Sequence, residues 1–525
     1  MKNKSNLLLL ASLFGGLLFS FLFWEERLAI NLLIYSAYLL TVTYLNPAVT
    51  KSRKFKFYGL AHFFAAILVV VNNSDLSIAS YYISLLVFIG ISHHQQIRSV
   101  FAALLSAVLQ LITTPANAII NLSKISVGNF NLKPIFRVFK YILIPVIAVI
   151  FFTMLYSAAN SLFAHYVEKA VTSVFSFFES VLRFFFKDLD VARFFHFVFG
   201  LILTSGLLLA FHKKPIENAE LQAHEDLIRV RRKATQKSIW YLLLETFAGS
   251  LLTRKMALKT EYITGIISFV ALNLLLLLLN IIDISTLWFG YQPSGSLSGA
   301  LHEGTNSLIF SIMMAMAIIL YFFRGNLNFY QRSKTLKTLA FAWMIQNVIL
   351  VVSVLIRDGY YIEFYGLTHK RIGVLVFAML CAIGLATVFV KVAKQKTLFY
   401  LFKINGSIWF ALLLAFSVIN WDLAIAKYNL SKSDEISLDA DYLLSLSDKT
   451  LPVLDKYRSK LQYTSPKVSD GREIAKPETA DFYSKQLNER IGFFKERYKK
   501  EGWLSWNFQD WNAARYFGIK KSPHK

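Results

Sequence analysis

Apolar runs of about 17–25 residues recur along this chain, each long enough to cross a hydrocarbon core of roughly 30 Å as a helix. No other feature constrains its fold as strongly. The runs fall at about 7–24, 28–46, 58–72, 76–92, 139–162, 191–211, 260–282, 306–323, 337–356, 372–394 and 404–421. Lipid cannot satisfy exposed backbone groups, so a spanning segment closes its own hydrogen bonds as a helix or joins a closed barrel. These runs lack the period-two alternation of barrel strands. The expected fold is all-α: a polytopic transmembrane helical bundle of about 11 spans over residues 1–421. A small helical C-terminal extramembrane domain is expected over 422–525. A twelfth span arises only if the apolar stretch at about 99–113 also crosses.

Charge supports a membrane rather than a nucleic acid. Only 17% of the 525 residues are charged, against roughly a quarter in soluble proteins. The net charge is +24, yet residues 422–525 carry 19 Lys and Arg against 15 Asp and Glu. Most of the excess therefore lies in short loops between apolar runs, where Lys and Arg mark the cytoplasmic side. No groove-reading motif accompanies it. The lipid bilayer is the expected partner and nucleic acid is not. The single cysteine, Cys381, sits inside an apolar run and excludes a disulfide framework within one chain. No small-residue cleavage pattern follows Leu7–Trp24, so this segment reads as an uncleaved first helix.

The basic loops give an orientation. The 212–259 loop holds ten Lys and Arg, including Arg229, Arg231, Arg232 and Lys233. Lys51, Arg53, Lys54 and Lys56 form a second basic stretch, Arg332, Lys334 and Lys337 a third, and Lys391, Lys394, Lys396 and Lys403 a fourth. Residues 283–305 hold neither Lys nor Arg. All agree on a cytoplasmic N-terminus. The basic 124–140 loop stays on the same side only if 99–113 is interfacial or re-entrant. Eleven crossings then place the C-terminal domain outside the cytoplasm.

Two segments differ from the spans. At 163–190, Val167, Val171, Val174, Phe178, Val181, Leu182 and Phe185 recur at helical spacing, with Glu168, Thr172, Ser176 and Glu179 elsewhere on the wheel. That suits an amphipathic helix in the interface plane, or equally a loop helix packed on the bundle. In the tail, Ser447 is a candidate cap for a helix carrying Leu451, Leu454, Tyr457 and Leu461. A second stripe holds Tyr483, Leu487, Ile491, Phe494 and Tyr498 and stops at Gly502. The last stretch is aromatic, with Trp503, Trp506, Phe508, Trp511, Tyr516 and Phe517. Such residues cover a small core of their own, or face a membrane interface or a partner. These stripes predict that 436–517 folds as a compact helical unit on the outer face.

Carboxylates are nearly absent from the span centres, unlike proton- or cation-coupled carriers, which need a titratable or anionic group there. The buried polar set is Asn31, His62, Asn160, His196, Asn273, Gln346 and Asn347. Interhelical hydrogen bonding explains such residues. No Walker loop, nucleotide fingerprint, HExxH or GxSxG occurs, so no cofactor is expected. His93-His94 and His302-Glu303 are sequence neighbours, which point apart on a helix, so no metal site is expected.

The densest polar information lies between 300 and 374. The candidate ligand-binding residues are His302, Glu303, Asn306, Arg357, Tyr365, Lys370 and Arg371, with His369 in reach of them. Such a mixed-charge cluster binds an anionic headgroup or pairs internally, and Tyr and Arg at span ends also serve as interfacial anchors. Anchoring and ion pairing are the simpler reading. The outer ends of 306–323 and 372–394 are expected to bring Glu303 near Arg371. No catalytic residue is singled out.

The order HEGTN (302–306), FFRGNLNF (322–329), W-x-x-QN (343–347) and YGLTHKRIGV (365–374) resembles the bacterial multi-pass membrane proteins grouped as domain of unknown function 4173, related to group 4153. The resemblance covers about 190–450, including DADYLLSLS (439–447). It implies a polytopic fold in a bacterial inner membrane and carries no reaction with it. The functional expectation is a transport component or a partner-binding subunit of an envelope complex, with the tail as docking element. The alternative is a membrane-embedded enzyme acting on a lipid-linked or polyprenyl-linked substrate at the outer face. Glu25 and Glu26 after the first span suit that alternative, although their loop is only a few residues long.

Overall fold

The computed structural model describes residues 2–47, 49–122, 126–127, 130–131, 145, 149–158, 160–185, 190–209, 215–228, 258–289, 298–436, 438–461 and 480–520. Of the expected span at 139–162, residues 139–144, 146–148 and 159 lie outside the described residues, and the basic 212–259 loop lies mostly outside them. So do Arg229, Arg231, Arg232 and Lys233.

The apolar runs form helices. In chain order these are α1 (Lys2–Phe23), α2 (Ile30–Leu45), α3 (Arg53–Asn72), α4 (Asp75–His93), α5 (Val100–Leu122), α6 (Val149–Ala158), α7 (Ser161–Phe185), α8 (Val191–Leu208) and α9 (Pro215–Gln222). There follow α10 (Leu258–Leu287), α11 (Ser298–Phe322), α12 (Ser333–Tyr365), α13 (His369–Ala393) and α14 (Leu398–Ser417). The tail adds α15 (Trp421–Ser431), α16 (Ala440–Ser445), α17 (Leu451–Lys456), α18 (Ala480–Lys500) and α19 (Phe508–Tyr516). Among the described residues eight helices are long and apolar enough to cross a membrane: α3, α4, α8, α10, α11 from Thr305, α12, α13 and α14. Among the described residues the β-structure is a two-residue antiparallel ladder pairing Ser126 with Asn131 and Val127 with Phe130, and an isolated bridge between Asp226 and Lys396.

Polar caps start many of these helices. Side chains of Ser52, Ser74, Asp190, Thr368, Thr397 and Asn420 accept from the first turns of α3, α4, α8, α13, α14 and α15. Each satisfies a backbone donor that the helix itself leaves open. Ser447 departs from expectation. Its side chain makes no capping bond, and a 3-10 turn over Asp448–Thr450 intervenes before α17. The Ser447 backbone amide instead donates to Asp422 across the tail.

Two sub-bundles share the membrane part. One core joins α1–α5 and α8 through Leu22, Tyr35, Leu39, Val69, Phe88, Ala107 and Leu207. The other joins α10–α13 through Phe269, Ile319, Leu336, Trp343, Val354 and Leu385. Helix α14 bridges them: Phe410 packs with Val87 and Val100, while Leu401 joins the second core. Glycine permits the close approach of α1 to α8, since a Cβ at Gly16 would lie 2.9 Å from Leu201 Cα. The amides behave as interhelical ties. Asn273 donates to Leu339 O at 3.1 Å, Gln346 to Asn273 Oδ1 at 2.9 Å, and Asn31 to Leu22 O at 3.0 Å.

The bundle has two chemically different ends. At one lie Lys51, Arg53, Lys54, Arg98, Arg324, Arg332, Lys394 and Lys396, and the 215–228 segment fastens there through Glu225–Lys403 at 2.6 Å. At the other lie the α1–α2, α3–α4 and α12–α13 turns, and the tail packs on that end. Helix α5 begins at the basic end, beside α4. Eleven residues in, Gln110 still donates to Gly206 O (2.6 Å) and Leu209 O (3.0 Å) at the basic end of α8, and touches His93 at the basic end of α4. Helix α8 begins at the opposite end, where His196 lies 5.4 Å from the Trp24 ring.

Helix α7 leaves Tyr166, Val171, Val174 and Phe177 uncovered. The tail stripe Tyr483, Leu487, Ile491, Phe494 and Tyr498 is buried against Leu443, Leu451, Leu454 and Ala513, together with Ile372 of α13. Trp503 is 60% exposed and Trp511 37%, so these two rings are not the tail's core. Leu504 between them is, by contrast, wedged into the first sub-bundle.

Candidate functional site

The tail lies over the end of a groove between α13 and α14 that holds a cavity of about 450 Å³. Helix α13 contributes Ile372, Gly373, Val376, Phe377 and Leu380, a stripe with helical spacing. Helix α14 answers with Trp409, Leu412, Leu413 and Phe416. From His369 to Leu380 is eleven residues, about 17 Å along a helix at 1.5 Å per residue. That is close to half of a bilayer's roughly 30 Å hydrocarbon core. The groove walls are apolar to this depth.

Its mouth is polar. Ser74 and Asp75 come from the start of α4, His369 from the start of α13, Asp422 from α15, and Ser447 and Lys449 from the turn before α17. His369 Nε2 lies 2.9 Å from Asp422 Oδ1, and its Nδ1 lies 2.9 Å from the Tyr442 hydroxyl. The His369 backbone N–H donates to that hydroxyl at 2.9 Å. With its oxygen accepting there, Tyr442 donates to Nδ1 and Nε2–H donates to Asp422. One tautomer satisfies every bond. Burial raises the Asp422 carboxyl, but hydrogen bonds from His369 and Ser447 outweigh it and bring the pKa down to about 2. Asp422 is an anion already committed to partners.

Lys449 is held differently. Burial pushes its ammonium below the usual lysine range, with Asp510, Asp422 and Asp75 acting in the opposite direction. Its hydrogen bond goes to the carbonyl of Asn73, the left-handed residue (φ 47°) that ends α3. Asn73 in turn donates to Leu28 O at 2.7 Å, so one lysine ties the tail to two turns of the bundle. Among the described residues no carboxylate lies within 4 Å of the Lys449 ammonium. An ammonium has three donors, and two remain for whatever enters the groove.

Of the residues expected to bind ligand, the structure brings Arg371 and Tyr365 together and gives Arg357 a different partner. Arg357 pairs with Asp283 of α10, both largely buried. Arg371 faces the end of its own hairpin. Its guanidinium donates to Tyr365 O (3.0 Å) and Gly366 O, capping α12, with the Tyr361 and Tyr365 rings 5.9 and 5.8 Å away. Lys370 and Asn306 are exposed. The side chains of His302 and Glu303 lie outside the described residues, and with them the expected approach of Glu303 to Arg371. Glu26 is taken up by the tail: Ser505 donates to it, the Arg27 N–H donates to Ser505 Oγ at 2.9 Å, and the Ile30 N–H to Trp506 O at 3.2 Å.

Sequence reasoning reached His369 but missed Asp422, Tyr442 and Lys449. The available signals were Asn420 capping a helix with Asp422 in its first turn, and the DADYLLSLS segment that carries Tyr442. Among the described residues no three His, Cys, Asp or Glu side chains gather as a metal site requires.

The family described as Domain of unknown function (DUF4153) matches residues 58–457. The match falls on the 4153 group rather than the related 4173 group, and begins well before residue 190. It takes in the groove, both of its walls and the mouth residues. No curated protein and no solved structure matches the chain.

Proposed function

The chain belongs to the DUF4153 family, whose description assigns no activity, and on that footing we propose that it is a lipid-binding protein of a bacterial inner membrane. The groove carries this reading. An apolar slot of one leaflet's depth, roofed by polar groups at its membrane-surface end, matches an amphiphile with one chain in the slot and its head under the tail. A water-soluble substrate would leave those apolar walls without a complement. The slot walls are apolar side chains, and the amides Asn31, Asn273 and Gln346 donate to neighbouring helices elsewhere in the bundle.

Orientation follows from the asymmetry of the ends. Basic residues at the α3 start and at the α13–α14 turn favour the cytoplasm for that end. The N-terminus is then cytoplasmic and residues 422–525 are extracytoplasmic. The position of Gln110 supports an α5 that stays at the cytoplasmic interface. A single crossing between α5 and α8 then brings the total to eleven. The uncovered apolar side of α7 suits a helix lying in the outer interface.

Gly373 provides the test. It lines the slot, and a Cβ there meets nothing within 4 Å, so a large side chain enters the groove without displacing backbone. Native mass spectrometry of detergent-purified protein should show bound lipid, and Gly373→Trp should remove it while the protein stays folded. Lipid-free wild type, or a Gly373→Trp protein with unchanged lipid, refutes the reading.

A further inference from the structure

We propose that the mouth of the groove selects a lipid head bearing a single phosphodiester charge, with the phosphate seated on Lys449. This rests on the groove reading above and adds the head class. Three observations converge on it. Lys449 lines the same cavity as the apolar stripes of α13 and α14, so a chain in the slot brings its head to the ammonium. Its hydrogen bond goes to a neutral carbonyl, and no carboxylate of the described residues is in ion-pair range. Of the two acids at the mouth, Asp422 is held by His369 at 2.9 Å and by the Ser447 amide at 3.3 Å, so it does not turn to neutralise the lysine.

A partly desolvated cation with unused donors gains most from an anion placed against it, because a charge-assisted bond in low dielectric is strong. Charge balance narrows the anion. One ammonium faces the groove with two carboxylates, Asp75 and Asp422, at the same mouth. A pyrophosphate or a phosphomonoester would bring two or more negative charges against those carboxylates. A phosphodiester brings one, and if its far end carries an amine, that amine meets Asp75. The occupant is an ordinary glycerophospholipid of the ethanolamine type, and a polyprenyl pyrophosphate is disfavoured.

The purified full chain is titrated, by native mass spectrometry, with phosphatidylethanolamine, with diacylglycerol of the same acyl chains, and with a polyprenyl pyrophosphate. Wild type should bind phosphatidylethanolamine about tenfold more tightly than diacylglycerol, the value of one charge-assisted hydrogen bond. Lys449→Met should erase that preference and Lys449→Arg should keep it, and an unchanged melting temperature in detergent shows that Lys449→Met is folded. Inorganic phosphate alone should leave lipid binding unchanged. Equal wild-type affinity for the two lipids overturns the phosphate site, as does a preference that survives Lys449→Met. Tighter binding of the pyrophosphate overturns the charge argument, and displacement by inorganic phosphate overturns the lipid source. Each of these leaves the groove itself standing. Failure of wild type to bind any of the three lipids removes the groove reading and this one with it.

Discussion

Leu504 should hold the tail to the bundle more strongly than the ion pairs beside it. It is 5% exposed and packs in the core built by Leu22, Leu32 and Tyr35. Truncating a buried leucine to alanine costs about 2–5 kcal/mol, and a wedge at the core's edge belongs in the lower part, about 2–3 kcal/mol. Arg27 pairs with Glu501 at 2.9 Å, but its side chain is 51% exposed. A pair so open to solvent contributes about 0.2–1 kcal/mol. Two backbone amides report the contact directly: Arg27 N–H on Ser505 Oγ and Ile30 N–H on Trp506 O. Both lose protection when the tail lifts. At about 1.4 kcal/mol per tenfold, Leu504→Ala should speed hydrogen exchange at these amides roughly 30- to 140-fold. Arg27→Ala keeps its amide and should change the exchange of Ile30 by less than about fivefold. Equal effects from the two substitutions, or no effect of Leu504→Ala, would refute the apolar-wedge account.

Acid should loosen the roof of the groove. The Asp422 carboxyl falls from 3.8 to about 2 on folding, so it contributes stability above pH ~4 that is lost as pH drops through ~2. Fluorescence of the adjacent Trp421, followed from pH 5 to 2, should show a transition that Asp422→Asn abolishes, and an unchanged transition rejects the assignment. Arg357→Met should strand the buried Asp283 carboxylate and cost about 3–5 kcal/mol. Replacing both partners by leucine should restore most of the thermal stability in detergent, and a double variant as weak as the single one contradicts the pairing. Topology reporters fused at Lys403 and after Lys525 should report opposite sides of the membrane, and the same side from both excludes eleven crossings.

Much of the helix inventory was legible because hydrophobic periodicity is a local property. A run of some twenty apolar residues dictates a helix whatever its neighbours are. The tail stripe from Tyr483 to Tyr498 identified its own buried face in the same way. Charge was legible too, since Lys51 to Lys56 and Lys391 to Lys403 cluster at what proves to be one end of the bundle. The single missed cap, Ser447, has a simple cause. A 3-10 turn replaces the first turn of a helix there, and the Ser447 amide meets Asp422, which only the folded tail brings near.

The sequence by itself determined that this chain is a helical membrane protein, which residues its helices contain and which ends carry positive charge. Only the tertiary structure decided which polar groups meet. His369 and Asp422 are 53 positions apart, Lys449 and Asn73 are 376 apart, and no period connects them. Whether Arg371 faces a ligand or caps α12 depends on the turn at Gly366, whose φ of 77° folds the chain back beneath the guanidinium. Whether an apolar stripe meets lipid, another helix or an enclosed slot depends on how α13 and α14 rotate and splay. Local pattern sets a helix's faces, whereas rotation and splay are set by contacts summed over the whole bundle.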